Sequence, residues 1–168
     1  MAPYQTYQNN NGNRGTLSFS NKPRFAQNAS NSAGKGDKEA SRPLPEFNLS
    51  NLTKELFDSI ADDCAKIIAN KEDKNYKKNQ STQIRRFYDE LAMWNERADS
   101  DDKFEEILPF VYMIKSKVAY AKGRDTVDAT FQNFISKTIS QINDRKTLNH
   151  AKLFMEAVMG FYKQYRTK

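Results

Sequence analysis

The sequence predicts an all-α protein: a compact bundle of five to six helices preceded by a disordered N-terminal tail. From residue 48 onward apolar residues recur every three or four positions, the spacing of one helix face. Polar segments separate these stretches, and none shows the alternation typical of a half-buried strand. We therefore assign residues 1–46 to the tail and residues 47–168 to one helical domain, which is large enough for one core.

The tail is dominated by Asn, Gln, Ser and Gly, as in NNNGNRG and QNASNSAGKGDKEASRP. Such a segment buries too little apolar surface to offset the entropy of ordering it. Its dispersed aromatic residues are candidates for contacts with RNA bases, but a disordered extension is the simpler interpretation. Pro43 and Pro45 mark the boundary of the helical domain.

The first two helices are predicted from two apolar stripes. The first runs from Leu49 through Leu52 and Cys64 to Ile68, so we expect Cys64 to be a small core residue. The polar segment NKEDKNYKKNQ follows it. The next helix is expected to start near Ser81 or Thr82, either of which can cap it. Its stripe consists of Ile84, Phe87, Tyr88, Leu91 and Trp94.

A third and a fourth helix are expected on either side of Pro109. Asp101 or Asp102 can cap the third, and Pro109 is predicted to end or kink it. Gly123 suits the position just after the fourth helix. The predicted buried side of the fourth helix consists of Phe110, Val111, Ile114, Val118 and Ala121.

The last two helices complete the predicted bundle. Asp125 can cap the fifth and Thr147 the sixth. The stripe of the fifth consists of Val127, Phe131, Phe134, Ile135, Ile139 and Ile142. The sixth has a broad apolar face, so we expect it to be central to the core: Leu148, Ala151, Phe154, Met155, Val158, Phe161, Tyr162 and Tyr165.

The charge of the chain is unevenly distributed. It has 27 Lys and Arg against 21 Asp and Glu, a net charge of +6. Residues 109–168 hold 11 basic and 4 acidic side chains, whereas residues 48–108 hold 10 basic and 14 acidic. We therefore look for an anion-binding surface in the C-terminal half. The single cysteine fits a reducing cytoplasm, and the longest apolar run, ILPFVYMI, is too short to cross a membrane.

Nothing in the sequence favours an enzyme, a metal site or a cofactor. The one histidine, His150, lies at the edge of an apolar helix face, where a structural role is expected. No Ser–His or Cys–His pair, phosphate-binding glycine motif or zinc-ligand cluster stands out. The pairs Asp62–Asp63 and Asp101–Asp102 are weak candidates for Mg²⁺, because they lie on a polar helix face and at a helix start.

Two adjacent arginines in STQIRRFYDEL raise a narrower question. At 100° per residue, both Arg85 and Arg86 point away from the apolar stripe of their helix. Each has a carboxylate four residues later, Asp89 and Glu90 respectively. Pattern alone favours two exposed ion pairs, each worth about 0.3–0.5 kcal/mol.

The predicted fourth helix is basic without acidic residues from Pro109 to Arg124. Lys117 and Arg124 share a face with Tyr120, and Lys115 and Lys122 form a second row on the opposite flank. Such rows suit a phosphate backbone. Lysine stems covering the core of a solvated helix would give the same pattern.

Three segments resemble one protein family. STQIRRFYDEL, LPFVYMIKSKVAYAKGR and FMEAVMGFYKQY are similar to segments of the small helical subunit of type III-A CRISPR–Cas effector complexes, the Csm complexes. The resemblance covers residues of about 50 to 168 and leaves out the tail. It implies a non-enzymatic cytoplasmic subunit for antiviral defence. Copies would stack in an inner filament, touching the guide RNA, the target RNA and other Csm subunits.

The resemblance also assigns residues. The family pattern Gln-x-Arg-x-Phe falls on Gln83, Arg85 and Phe87, and the pattern Lys-x-x-Tyr-x-x-x-Arg falls on Lys117, Tyr120 and Arg124. We expect Phe87 to pack, and Arg85, Lys117 and Arg124 to contact RNA phosphates. Gln83 is a further RNA-binding candidate. Tyr120 would stack, donate a hydrogen bond or pack. Charge alone adds weaker candidates: Arg86, Lys122, Lys77 and Lys78.

Two other classes of function remain as alternatives. In a protein-only helical scaffold, the basic face would dock on acidic surfaces of neighbouring subunits. A nuclease would cleave RNA with a metal held at one of the aspartate pairs.

Overall fold

The computed structural model describes residues 40–70, 72–73 and 76–166, so most of the predicted tail lies outside the described residues. The described part is all-helical and contains no strand, which confirms the predicted fold class. Its helices are α1 (Lys54–Phe57), α2 (Ser59–Ala69), α3 (Ser81–Arg97), α4 (Asp101–Gly123), α5 (Ala129–Ile139) and α6 (Arg145–Tyr165). No helix in this part is long and apolar enough to cross a membrane.

The longest apolar face, that of α6, packs against α2 and α3, while α4 packs against α3 and α5. A cluster of phenylalanine rings fills the centre, where Phe47, Phe134 and Phe154 contact one another at centroid distances of 4.7 to 6.2 Å. The predicted stripe of the fifth helix is buried throughout. Cys64 is also buried, as predicted, and burial raises the pKa of its thiol to about 12.

Pro109 does not end a helix, because α4 runs unbroken from Asp101 to Gly123. The apolar stripe explains the continuity. Its buried residues keep the three- and four-residue spacing on both sides of the proline: Phe104, Ile107, Val111, Ile114 and Val118. Pro109 lies on the exposed face, where water can satisfy the carbonyl it leaves unpaired.

The predicted helix caps were wrong by a few residues at every site. Gln80 precedes α3 and makes no side-chain cap, and Ser100 caps α4. Asp128 rather than Asp125 caps α5, accepting a hydrogen bond from the Phe131 amide at 2.7 Å. The cap of α6 is Asp144, and Thr147 completes a capping box from the third helical position.

Asp125 instead takes a left-handed conformation (φ 61°) in the turn after α4. Gly123, predicted to follow the fourth helix, is still part of it. A polar residue such as aspartate tolerates this backbone conformation better than most side chains.

Two apolar residues predicted to be buried are exposed. Leu52 precedes α1 and is 44 % exposed, and Phe110 is 46 % exposed against the ring of Trp94. Leu49 is buried but lies outside the helices, where its carbonyl accepts a hydrogen bond from Nδ1 of the buried His150 at 2.7 Å. This contact gives His150 a structural role.

The chain contacts the bundle before residue 47. The Arg42 guanidinium donates to Asp128 at 2.5 Å and to the Ile67 carbonyl at 3.0 Å, and its amide donates to Thr130. These contacts tie the segment ahead of α1 to α2 and α5.

Candidate nucleic-acid interface

Helices α3 and α4 form an antiparallel hairpin through a turn at residues 98–100. Near the turn the rings of Trp94 and Phe110 stack, with centroids 5.2 Å apart. Farther along, Lys117 Nζ donates to Glu90 Oε1 at 2.5 Å. The pairings run in opposite directions along the two helices, so the C-terminal half of α4 lies beside the N-terminal half of α3.

The open end of this hairpin holds a groove of about 640 Å³. The groove brings together several predicted RNA-binding residues: Gln83, Arg86, Lys117, Tyr120 and Arg124. Its remaining lining residues are Phe87, Glu90, Ser116, Ala121 and Thr126. Phe87 forms part of the floor and packs into the core as predicted, 5.7 Å from the Phe131 ring. We call this surface the hairpin groove.

The hairpin groove has a surplus of positive charge. Its cations are Arg86, Lys117 and Arg124, and Glu90 is its one carboxylate. Lys117 pairs with Glu90, whereas Arg86 and Arg124 form no ion pair with any described residue. The Arg124 guanidinium lies 5.8 Å from the centroid of the Tyr120 ring, which is 67 % exposed. Two guanidinium groups and an exposed aromatic ring therefore face the same space.

One observation corrects the prediction of an acid-free basic row. Lys117 does have an acidic partner, but it comes from α3 rather than from its own helix. The predicted Arg86–Glu90 ion pair is absent from the described residues, and Glu90 pairs with Lys117 instead. The predicted Arg85–Asp89 pair is present, at 3.7 Å.

The two adjacent arginines face different grooves. Arg86 lines the hairpin groove, while Arg85 lines a second one of about 430 Å³ between α3 and α6, beside Tyr88 and Met159. Arg85 is thus separated from Lys117 and Arg124, although the family pattern groups the three.

The remaining basic candidates lie outside the hairpin groove. Lys115 is on the other flank of α4, where its ammonium donates to Ser140 Oγ at 2.6 Å and lies over the Tyr112 ring. Lys122 is partly buried on that flank. In the loop before α3, Lys77 is exposed, and Lys78 pairs with Asp125 at 2.7 Å.

A buried polar network supports the rim of the hairpin groove at Thr126. The Asn79 amide donates to the Thr126 carbonyl at 3.0 Å, and the Asn79 side chain donates to Ile68 and accepts from the Asp128 amide, both at 3.0 Å. Asp128 also accepts from the Tyr76 hydroxyl, and burial together with that hydrogen bond raises the pKa of Tyr76. This network leaves no local pattern in the sequence, because its members are far apart in the chain.

One aspartate of each weak metal-candidate pair is engaged in another contact. Asp62 accepts a hydrogen bond from the Tyr165 hydroxyl at 2.6 Å, and Asp101 lies 3.8 Å from Arg145. Within the described ranges, no group of three or more His, Cys, Asp or Glu residues is arranged to hold a metal ion.

Comparison with known proteins yields one match. A family model described as Csm2 Type III-A matches residues 52–168, about two thirds of the chain. No curated protein and no solved structure matches.

Proposed function

Because the chain belongs to the Csm2 Type III-A family, and so is a subunit of a type III-A CRISPR effector complex, we propose that its hairpin groove contacts the backbone of the guide–target RNA duplex. In this proposal the subunit is non-catalytic and serves antiviral defence. It contacts the sugar–phosphate backbone of the duplex, while base pairing between the two RNA strands reads the sequence.

The observation that carries the proposal is the convergence of Arg86, Tyr120 and Arg124 on one groove. Neither arginine is neutralised by a described carboxylate, and guanidinium groups bind phosphate oxygens in a bidentate manner. Gln83 adds a neutral donor, and the exposed Tyr120 adds a hydroxyl and a ring face. Contacts of this kind recognise the backbone without reading bases.

The family resemblance adds an assembly role to the proposal. Copies of the chain would stack in an inner cytoplasmic filament beside the duplex and touch the other Csm subunits. Repeated stacking requires two different patches on each molecule.

The proposal is tested on the reconstituted effector complex by binding of labelled target RNA. We expect the double variant Arg86→Ala, Arg124→Ala to assemble normally and to bind target at least about tenfold more weakly, because each lost charge-assisted hydrogen bond costs about 1.5–3 kcal/mol. Binding should weaken equally for targets of different sequence, each paired with its own guide. Normal binding by the assembled variant would refute the groove as the RNA contact.

The matched control is Lys66→Ala, Lys146→Ala, which removes the same charge from exposed positions outside the hairpin groove and outside the predicted RNA-binding residues. We expect this control to bind target as the wild type does. Subunit composition must be measured first, so that intact complexes alone are compared. The non-catalytic role predicts in addition that the isolated chain does not cleave RNA when Mg²⁺ is added.

A protein-only scaffold is the second candidate, and the Lys117–Glu90 pair favours it. That contact places a carboxylate at the groove, as an acidic partner surface would. The scaffold predicts that the Arg86→Ala, Arg124→Ala complex fails to assemble. Target binding by any complex that does assemble would then be normal.

A further inference from the structure

Asp128 is a buried carboxylate at the start of α5. Its side chain is 1 % exposed, and one of its oxygens accepts from the Phe131 amide at 2.7 Å and so caps the helix. The other oxygen accepts from the Tyr76 hydroxyl and from the Arg42 guanidinium. A charged carboxylate is stable away from water only when a cation and hydrogen-bond donors surround it. Arg42 is the cation that pairs with Asp128.

Arg42 belongs to a segment that precedes the part of the chain matched by the family model. We call this segment, residues 42–49, the strap. Phe47 anchors one part of the strap, because its buried ring packs on α6. At the other end Arg42 Nε donates to the Ile67 carbonyl at 3.0 Å, and the guanidinium lies 5.5 Å from the centroid of the Tyr76 ring. Arg42 therefore contacts α2, α5 and the loop before α3 at once.

Asp128 is linked to the rim of the hairpin groove through Asn79. The Asp128 amide donates to the Asn79 side chain, and the Asn79 amide donates to the Thr126 carbonyl, both at 3.0 Å. Thr126 lines the groove two residues after Arg124. The turn between them is left-handed at Asp125 (φ 61°). Surrounding contacts must fix such a backbone conformation, since it costs free energy for a residue other than glycine.

We propose that Arg42 is a positioning residue for the hairpin groove. By neutralising Asp128, Arg42 keeps that carboxylate buried at the start of α5. Asp128 and Asn79 together then fix the turn that follows Arg124. The inference rests on the proposed function, because it takes the groove to be the RNA contact. Arg42 itself does not touch RNA in this proposal, since its guanidinium is engaged by Asp128 and Ile67.

Loss of Arg42 would leave Asp128 buried without its counter-ion. An unpaired buried carboxylate is strongly unfavourable, so the backbone that carries it would move toward water. The groove would then be closed in only a fraction of the molecules, and apparent affinity falls in proportion to that fraction. The bound form would still make the same phosphate contacts. The salt dependence of binding would therefore not change.

The first experiment is amide hydrogen exchange on the full chain without RNA. The amides of Asn79 and Asp128 report on the turn, and the amide of the buried Val158 reports on the middle of α6. In Arg42→Ala we expect the two turn amides to exchange at least about tenfold faster, in excess of any change at Val158, because the turn opens while the core stays closed. A contribution to global stability alone would speed all three equally.

The matched control for this experiment is Lys137→Ala. Lys137 donates to the Pro45 carbonyl of the strap at 3.3 Å, so the variant also removes one cation that contacts the strap. It leaves the Arg42–Asp128 pair in place. We expect no excess exchange at the turn amides in this control.

A second substitution provides a rescue. Asparagine needs no counter-ion and still caps a helix. In the double variant Arg42→Ala, Asp128→Asn we therefore expect the Asn79 amide to exchange more slowly than in Arg42→Ala alone, which is the non-additivity expected of a direct contact. If Arg42→Ala does not fold, Arg42→Lys replaces it. Lysine keeps the charge but lacks the planar fork, so the same excess should appear in smaller measure.

The second experiment measures binding of labelled target RNA to the reconstituted complex across a salt series. We expect the complex with Arg42→Ala to bind at least about threefold more weakly than the wild type, with the wild-type slope of log affinity against log salt concentration. The complex with Lys137→Ala should bind as the wild type does.

The proposal is overturned if Arg42→Ala shows no excess exchange, if Lys137→Ala shows the same excess, or if Asp128→Asn gives no rescue. Weaker binding with a shallower slope would also overturn it, because Arg42 would then contact phosphate itself. Normal binding despite faster exchange would remove the link to the groove. Failure of the proposed function is seen separately, as normal binding by Arg86→Ala, Arg124→Ala.

Discussion

Asn79 joins four parts of the chain although it lies outside every helix. Its backbone and side chain bond to Ile68 in α2, to Tyr162 in α6, and to Thr126 and Asp128 between α4 and α5. The side chain is fully buried, and the backbone is left-handed (φ 54°). Asparagine tolerates that conformation and satisfies the buried groups around it.

We predict that Asn79→Ala lowers the free energy of unfolding by about 3 kcal/mol, because it leaves two buried partners unsatisfied and adds strain at positive φ. Asn79→Gly should lose less, since glycine adopts positive φ without strain. Chemical denaturation of the two variants measures the difference. Equal losses would show that backbone strain contributes nothing.

Asp144 makes the stability of α6 depend on pH. Hydrogen bonds from the Thr147 amide and hydroxyl lower the pKa of its carboxyl group. Because the folded pKa is depressed, the stabilisation is complete above the ordinary carboxyl value and is lost as pH falls through the folded value.

We predict that Asp144→Ala costs about 1 kcal/mol at neutral pH and progressively less in acid. Asp144→Asn should retain most of the cap at neutral pH and lose the titration. Thermal unfolding of the three proteins between neutral and acidic pH tests this. A cost of Asp144→Ala that stays constant with pH would contradict it.

At the residue scale the sequence could not separate Arg85 from Arg86. Helical geometry alone shows that both point away from the apolar stripe. It does not tell which neighbouring helix packs on which flank, and that packing decides which arginine meets Lys117 and Arg124. For the same reason the Glu90–Lys117 pair, which joins two helices, was missed.

At the scale of elements, α4 shows how an apolar stripe overrides a local signal. A proline inside a helix costs about 3 kcal/mol relative to alanine, yet the core contacts on both sides of Pro109 hold the helix together.

We predict that Pro109→Ala stabilises the protein by about 2 kcal/mol, because it restores a helical hydrogen bond at an exposed position while making the unfolded chain more flexible. Glu105→Ala, on the same exposed surface, should change stability by less than about 0.5 kcal/mol. Denaturation midpoints measure both. A destabilised Pro109→Ala would mean that the proline is needed where it lies.

The positions of the helices were predictable because each depends on one periodic stripe that is local in sequence. The caps were less predictable, since several polar residues near each helix start compete for the role. Asp125 and Asp128 are equally suitable in sequence, and the turn that pairs Asp125 with Lys78 decides between them. The third and fourth predicted helices merged because the proline signal outweighed the stripe in the prediction.

At the scale of the whole molecule, the charge asymmetry seen in sequence becomes an asymmetry of the α3–α4 hairpin. Its turn end is acidic and its open end is basic, and the hairpin groove lies at the basic end. The sequence located the basic half of the chain, but folding was needed to bring Arg86 from the acidic segment into that groove.

The central claim, that the hairpin groove holds RNA backbone, is tested most directly by the salt dependence of target binding to the assembled complex. The slope of log affinity against log salt concentration is proportional to the number of phosphates that the protein neutralises, and each contact contributes about 0.7–0.9 to it. We predict that the double variant Arg86→Ala, Arg124→Ala makes this slope shallower. The decrease should correspond to the loss of one to two phosphate contacts for each groove that lies on the duplex. An assembled variant with the wild-type slope would contradict the account.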